Sequence, residues 1–147
     1  MRFFFCRFII IPGLIIIFFT ACRPKERSAE TVEQAMLKYN RYILKMDVDS
    51  IALLYTPDGE LGKMARGRDS IRRFLENFKK YKVLSQVSKT NLININKDTA
   101  LQSGLYTQKV IVPQNDTVTV KGLFSTKWIW MDSTGWHIQR METLPAK

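Results

Sequence analysis

Apolar residues recur at spacings of three and four between Ala29 and Met46, which places them on one face of an α-helix. Ser28 lies just before this segment and is a suitable N-cap, because its hydroxyl oxygen can accept a hydrogen bond from a backbone N–H of the first turn. The pattern therefore predicts a first helix over 29–46. Its apolar face consists of Val32, Ala35, Met36, Tyr39, Ile43 and Met46.

Two further helices are predicted before residue 82. The segment Asp47–Ser50 interrupts the first pattern, and Asp49 can cap a short second helix over Ser50–Leu54. A third helix is predicted over Asp69–Tyr81, because its apolar residues share one face and charged residues fill the other. That apolar face consists of Ile71, Phe74, Leu75 and Phe78.

After Lys82 the pattern changes to long segments with the character of β-strands, separated by turns rich in Asn, Asp, Pro and Gly. Earlier in the chain, Tyr55 begins a strand that is expected to end in a turn at Pro57-Asp58-Gly59, and 62–67 is a candidate short strand. The long segments are 82–95, 99–112, 117–131 and 136–143. Helices followed by a meander predict an α+β fold, with three N-terminal helices packed on one face of a curved antiparallel sheet.

The N-terminus has the order of parts found in secretory signal peptides: a basic segment, an apolar run from Phe8 to Phe19, and then small residues. The run ends at Thr20-Ala21-Cys22, which resembles the lipobox of a bacterial lipoprotein signal. The resemblance implies cleavage between Ala21 and Cys22, a diacylglyceryl thioether on Cys22 and an acylated amino group. The chain then divides into a signal peptide (1–21), a lipidated cysteine with its tether (22–28) and one domain (29–147).

An uncleaved anchor and an ordinary secreted protein are the alternative interpretations of this N-terminus. A membrane-spanning helix needs about 20 apolar residues, whereas the run here is cut off by Arg7 and contains Pro12-Gly13. A secreted protein has no need for Cys22. The lipoprotein interpretation places the protein in the bacterial cell envelope, and Arg23, in place of an Asp after the cysteine, favours the outer membrane facing the periplasm.

Composition narrows the possible chemistry. The net charge of +10 becomes +8 once Arg2 and Arg7 leave with the signal peptide. The basic residues are scattered, as expected for solvated surfaces, and we expect no nucleic-acid partner. Cys6 leaves with the signal and Cys22 carries lipid, so no thiol remains for a disulfide. With His137 as the only histidine and no clustered carboxylates, we predict neither a metal site nor a cofactor.

Several local motifs, in order and at matching spacings, resemble the nuclear-transport-factor-2-like superfamily in its SnoaL-like branch. They are the Asp-rich end of the first helix (Asp47, Asp49), Tyr55-x-x-Asp58-Gly59, Gly67-Arg68-Asp69-Ser70-Ile71, and the closing Phe124, Trp128 and Gly135-Trp136-His137-Ile138. The resemblance covers 30–145. It implies a half-open cone with an apolar cavity between helices and sheet. Members include isomerases, dehydratases, cyclases and non-catalytic binding or dimerisation domains.

Strand alternation places Trp136, Ile138, Arg140 and Glu142 on one face of the last strand. Because Trp136 and Ile138 are apolar, we expect this face to be the inner one, with Arg140 and Glu142 continuing it towards the cavity. The kinase association domain of the superfamily is similar in placing polar side chains of its last strand in the pocket. Arg140 and Glu142 are therefore the leading pocket candidates; the alternative is an ion pair at the rim.

Four aromatic side chains complete the candidate pocket: Tyr39, Tyr55, Tyr106 and Trp128. They are expected to pack in the core or line a ligand cavity, or to lie on the outer sheet face if the domain dimerises there. His137 alternates with Trp136 and is expected to face outward. Because no acid–base pair converges, no catalytic residue is assigned.

Three hypotheses for function follow, because the fold alone does not determine it. The leading one is an envelope lipoprotein whose SnoaL-like domain binds a small apolar ligand or a protein partner without chemistry. The first alternative is an isomerase, cyclase or dehydratase that uses Glu142 as a pocket carboxylate and a tyrosine as hydrogen-bond donor. The second alternative is a dimerisation scaffold, a homodimer formed through the sheet face. An exposed Glu142 would argue against the enzyme.

Overall fold

A computed structural model describes residues 26–114 and 116–146, so the predicted signal peptide and Cys22 lie outside the described residues. The helices are α1 (Ala29–Lys45), α2 (Val48–Leu53) and α3 (Arg68–Glu76). The strands are β1 (Tyr55–Leu61), β2 (Ala65–Arg66), β3 (Lys82–Asn96), β4 (Thr99–Ile111), β5 (Thr117–Met131) and β6 (Gly135–Pro145). No helix in the described part of the chain is long and apolar enough to cross a membrane.

The strands form one curved, unclosed sheet in the order β2-β1-β6-β5-β4-β3. Strands β3 to β6 make an antiparallel meander, and β1 joins it by running parallel to β6. The predicted α+β architecture, with three helices against a mainly antiparallel sheet, is confirmed. The long final strands were also placed to within one or two residues at each end.

The helix boundaries differ in part from the predictions. Ser28 caps α1 as expected, and its hydroxyl accepts a hydrogen bond from the Thr31 N–H. Asp47, not Asp49, caps α2, because its carboxylate accepts from the Ser50 N–H at 3.1 Å. The third helix ends at Glu76, earlier than predicted. The Asn77 side chain donates to the Phe74 carbonyl there, and residues 77–81 continue as turns.

The predicted turn at Pro57-Asp58-Gly59 is wrong, since these residues lie inside β1. Pro57 lacks an N–H donor and is tolerated only where a strand is not fully paired. The β1–β6 register shifts between Tyr55 and Glu60, so the proline falls in the irregular stretch. The chain turns later, at Gly62, where φ is +53°.

The hydrophobic core lies between the three helices and the inner face of the sheet. Its buried members lie between Val32 and Met141 in the sequence. Tyr55, Trp128 and Ile138 are among those with no exposed surface. All of these residues belong to the segment that begins at Glu26. The described residues of that segment form one core cluster, so the segment is expected to fold on its own.

The two ends of the sheet have different surroundings. At the end formed by the β3–β4 and β5–β6 turns, Arg27 bonds to Asp98 at 2.9 Å and to Asp132 at 3.1 Å, with its guanidinium over the Trp130 ring. We call this the tether end, because the chain enters the domain here. The opposite end, with the β4–β5 turn and the C-terminal part of α1, is called the open end.

Candidate ligand cavity

A cavity of about 410 Å³ lies between the helices and the inner face of the sheet, in the half of the domain next to the open end. The C-terminal half of α1 contributes Met36, Tyr39, Ile43 and Met46. The opposite wall consists of side chains from the four long strands, chiefly Val83, Tyr106, Val110, Val120, Phe124 and Met141. This volume falls in the range of small-molecule sites.

The mouth of the cavity is marked by the lining side chains that reach solvent. Met64 in the β1–β2 turn is 55% exposed, Phe78 after α3 is 39% exposed, and Val118 at the start of β5 is 41% exposed. All three lie at the open end. Deeper lining residues such as Met36 and Phe124 are buried, so the cavity runs inward from the open end.

The cavity wall is apolar and carries no side chain that is charged at neutral pH. Among the described residues that line it there is no Asp, Glu, His, Lys or Arg. Its polar members are neutral: Tyr39, Tyr81, Gln86, Ser88, Tyr106, Gln108 and Thr143. Nor does any group of three or more acidic or histidine side chains come together as a metal site in residues 26–114 and 116–146.

Gln86 and Ser88 form a polar strip in the cavity wall, and both donate hydrogen bonds to Asn40, a buried residue of α1. Its side-chain oxygen accepts hydrogen bonds from Ser88 Oγ at 2.9 Å and from Gln86 Nε2 at 3.3 Å. The side-chain oxygen of Gln86, Oε1, is buried and has no hydrogen-bond partner among the described residues. Gln86 and Ser88 thus give this part of the wall its polar character.

Tyr39 of α1 and Tyr55 of β1 differ in their position relative to the cavity. Burial raises the pKa of Tyr39 to about 12 and raises the pKa of Tyr55 well above its usual 10. Both hydroxyls therefore stay protonated at physiological pH. Tyr39 lines the cavity and can donate to a ligand, whereas Tyr55 lies behind it in the core. The Tyr55 hydroxyl interacts with that of Tyr39, which adds to the rise in the pKa of Tyr55, but it makes no hydrogen bond of good geometry in the described structure.

The expectation that Arg140 and Glu142 face the cavity is wrong. Ile138 pairs with Trp128 and Arg140 with Lys127, so Gln139 is an extra residue that reverses the alternation of β6. Met141 takes the inward position with 2% exposure, while Arg140 and Glu142 point outward. Arg140 Nε donates to Glu60 at 2.7 Å on the outer face, so Arg140 does form an ion pair, but with Glu60 and not with Glu142.

The structure separates the aromatic candidates. Tyr39 and Tyr106 line the cavity, whereas Tyr55 and Trp128 are core residues that do not reach it. His137 does not line the cavity either. Its Nε2 lies 2.7 Å from the Thr134 hydroxyl at the tether end, and burial lowers its pKa.

Sequence reasoning missed the mouth residues and the polar strip. A usable signal was present at the start of β5, because Val118 and Val120 alternate with the polar residues Thr117, Thr119 and Lys121. No comparable signal marked Gln86, since β3 is irregular between Val83 and Ser85. Phe78 was counted as part of a longer helix face.

Comparison with known proteins agrees with this geometry. The sequence profile of a family described as the SnoaL-like domain matches residues 27–142. The chain belongs to the SnoaL-like domain family. No curated protein sequence matches the chain significantly.

Solved structures similar to this SnoaL-like domain share its fold at low sequence identity. A ketosteroid isomerase-like protein from Erwinia carotovora atroseptica is 15% identical, with a TM-score of 0.71 over 84% of this chain and 99% of that chain. A nuclear transport factor 2-like superfamily protein from Salmonella enterica serovar Typhimurium is 18% identical, with a TM-score of 0.67 over 80% and 91% of the two chains. At such identity the similarity shows the NTF2-like cone fold alone.

Proposed function

We propose that this SnoaL-like domain binds a small, mainly apolar molecule in its cavity without chemical conversion. The supporting observation is a cavity of about 410 Å³ with an apolar wall, neutral hydrogen-bonding groups on one side and an open mouth. Burial of a ligand's apolar surface supplies the affinity. The Tyr39 hydroxyl supplies a hydrogen-bond donor that orients it.

The absence of a base from the described cavity wall supports binding over the isomerase, cyclase or dehydratase hypothesis. Those reactions need a general base or acid within hydrogen-bond reach of the substrate. Glu142, the carboxylate considered for that role, is exposed on the outer face of the sheet. The ketosteroid isomerase-like protein has the same fold, but at 15% identity it gives no basis for assigning a catalytic role to any residue of this chain.

The binding proposal is tested with a fluorescent apolar probe and a matched pair of variants on β5. Val120 lines the cavity, whereas its neighbour Thr119 is exposed and points to the other face. Val120→Trp is expected to fill the cavity and abolish saturable probe binding; Thr119→Trp is expected to leave it intact. The proposal would be overturned if Val120→Trp still bound the probe saturably, or if the unmodified domain showed no saturable binding.

We further propose that lipid on Cys22 anchors the domain in the bacterial envelope. The lipobox-like sequence supports this, and so does the short distance along the chain from Cys22 to the first clamped residue, Arg27. Cys22→Ala, compared with Cys6→Ala, is expected to abolish membrane fractionation and to retain the unprocessed size. An unchanged membrane fraction in Cys22→Ala would reject the anchor and leave the cavity proposal untouched.

The anchor proposal fixes which way the cavity faces. Arg27 is held at the tether end by Asp98 and Asp132, while the mouth opens at the opposite end of the same strands. A membrane five residues from Arg27 would therefore adjoin the tether end. We propose that the mouth points away from the anchoring membrane and exchanges its ligand with the aqueous side.

A homodimer through the outer sheet face is proposed as the quaternary state. Leu105, Leu123 and Leu144 form a row of directly paired residues across β4, β5 and β6, with exposures of 47%, 53% and 67%. Lys89 flanks one end of the row and Glu142 lies beside the other. A second copy related by a twofold axis along the strands brings these opposite charges together. Light scattering tests this arrangement. Leu123→Asp is expected to give a monomer, whereas Lys127→Asp on the same strand is expected to keep the dimer. A monomeric unmodified domain would overturn the dimer proposal.

A further inference from the structure

The mouth of the cavity is surrounded by lysines. Five exposed lysines lie in the segments that carry mouth residues: Lys45 precedes Met46 at the end of α1, Lys63 precedes Met64 in the β1–β2 turn, and three lie around Tyr81 between α3 and β3. Lys109 is also exposed at this end, but strand alternation places it on the outer face of β4, outside this set. Lys80 is placed most clearly, since its ammonium group lies 5.4 Å from the ring centre of Tyr81, a lining residue. We call this set the basic rim; it consists of Lys45, Lys63, Lys79, Lys80 and Lys82.

The rim is only partly neutralised by acidic side chains. Glu76 pairs with Lys79 at 2.8 Å, and Asp47 lies near Lys45 and Lys79, whose charges help to lower its pKa after its hydrogen bonds with Ser50. Asp116 in the β4–β5 turn is a third carboxylate at this end, whereas the charge of Asp49 is balanced by Arg72 at 3.7 Å. Lys63, Lys80 and Lys82 form no ion pair within the described residues. Five lysines against three carboxylates leave the mouth positively charged.

The interior behind this charged rim suits a flexible chain. Four methionines line the cavity, at positions 36, 46, 64 and 141. Unbranched thioether side chains adapt their shape to an apolar ligand more readily than branched or aromatic ones. The exposed apolar residues Met64 and Phe78 continue this surface out to the rim.

We infer that the cavity takes a single-chain amphiphile with an anionic headgroup, the alkyl chain inside and the headgroup at the basic rim. This inference rests on the proposed binding function and names its ligand class. The neutral wall provides no counter-ion inside, so the headgroup charge stays at the mouth, where it remains hydrated and meets Lys80 and Lys82. Exposed pairs of this kind contribute about two- to fivefold each in affinity.

The test compares three amphiphiles with the same twelve-carbon chain, below their micelle-forming concentrations: dodecanoate, dodecanol and dodecyltrimethylammonium. Each displaces a fluorescent apolar probe from the domain that begins at Glu26, near pH 8, where the carboxylate is ionised. The expected order of affinity is anion, then alcohol, then cation. The anion's advantage over the alcohol is expected to shrink at high salt, because exposed charges are screened.

The rim is tested with a double charge reversal and a control that has the same change in net charge. Lys80→Glu/Lys82→Glu is expected to abolish or invert the preference for the anion while dodecanol binding is kept. Lys121→Glu/Lys127→Glu, which alternation places on the outer face of β5, is expected to keep the preference. Equal binding of anion and alcohol, or a preference that survives the rim reversal, overturns this inference and leaves the apolar-ligand proposal standing. Displacement by none of the three overturns both.

Discussion

The indole nitrogen of Trp128 donates a hydrogen bond of 2.9 Å to the side-chain oxygen of Gln102, across strands β4 and β5 on the buried face of the sheet. Gln102 is 1% exposed, and its amide nitrogen donates a second hydrogen bond to Thr90 Oγ1 at 2.9 Å. A buried polar chain of this kind specifies the packing of the sheet because each group depends on the next. It lies at the base of the cone, below the cavity.

We expect Gln102→Met to lower the free energy of unfolding by about 1–3 kcal/mol, because it leaves the buried Trp128 N–H without an acceptor. Gln108→Met is the matched control: it lies on the same strand, lines the cavity and makes no side-chain hydrogen bond in the described structure. Urea unfolding followed by tryptophan fluorescence measures both. Equal effects of the two substitutions would show that the Trp128 hydrogen bond contributes nothing.

Tyr55→Phe is expected to raise the free energy of unfolding by about 1 kcal/mol. The Tyr55 hydroxyl is buried and, although it lies near the Tyr39 hydroxyl, makes no hydrogen bond of good geometry, so removing it relieves the cost of desolvating a poorly paired polar group. Tyr39→Phe, which removes a hydroxyl facing the cavity, serves as the comparison in the same unfolding assay. A clear loss of stability in Tyr55→Phe would mean that Tyr39 or another group does pair with it.

His137 is expected to make stability depend on pH. Burial, aided by the charges of Arg68 and Lys38, lowers its pKa below the usual 6.5. The unfolded chain then binds more protons than the folded one, so this contribution is complete above about pH 6.5 and is lost as the pH falls through the folded pKa. Unfolding at about pH 7.5 and 5.5 should show a larger loss for the unmodified domain than for His137→Gln. The same loss in both would contradict this account.

The orientation of the lipidated protein is open to a direct distance test. If Cys22 carries lipid and Cys6 has left with the signal, a cysteine introduced in the mature chain is its only free thiol. A fluorophore on Ser133→Cys, at the tether end, is expected to be quenched by quencher-labelled headgroups more strongly than one on Gln114→Cys, at the open end. Stronger quenching at position 114 would mean that the mouth faces the anchoring membrane.

The sequence predicted the layers of the fold but not the residues of the cavity. Periodicity located α1 and the four long strands, because side-chain burial on regular elements repeats with a fixed period. Strict alternation failed on β6, where the extra residue Gln139 exchanged the inner and outer positions of Met141 and Arg140. A bulge depends on how two strands pair, and one strand's pattern does not reveal it. Phe78 reached the mouth because α3 ended early at Glu76, which its helical spacing did not predict.

The central claim, ligand binding inside the cone, is tested most directly by methyl NMR of the domain that begins at Glu26, labelled on its methionines. Met36, Met46, Met64 and Met141 line the cavity, and Met131 near the tether end does not. Titration with dodecanol is predicted to shift the four cavity methyl signals in a saturable way and to leave Met131 unchanged. Unchanged signals from all four, or shifts confined to Met131, would contradict the account.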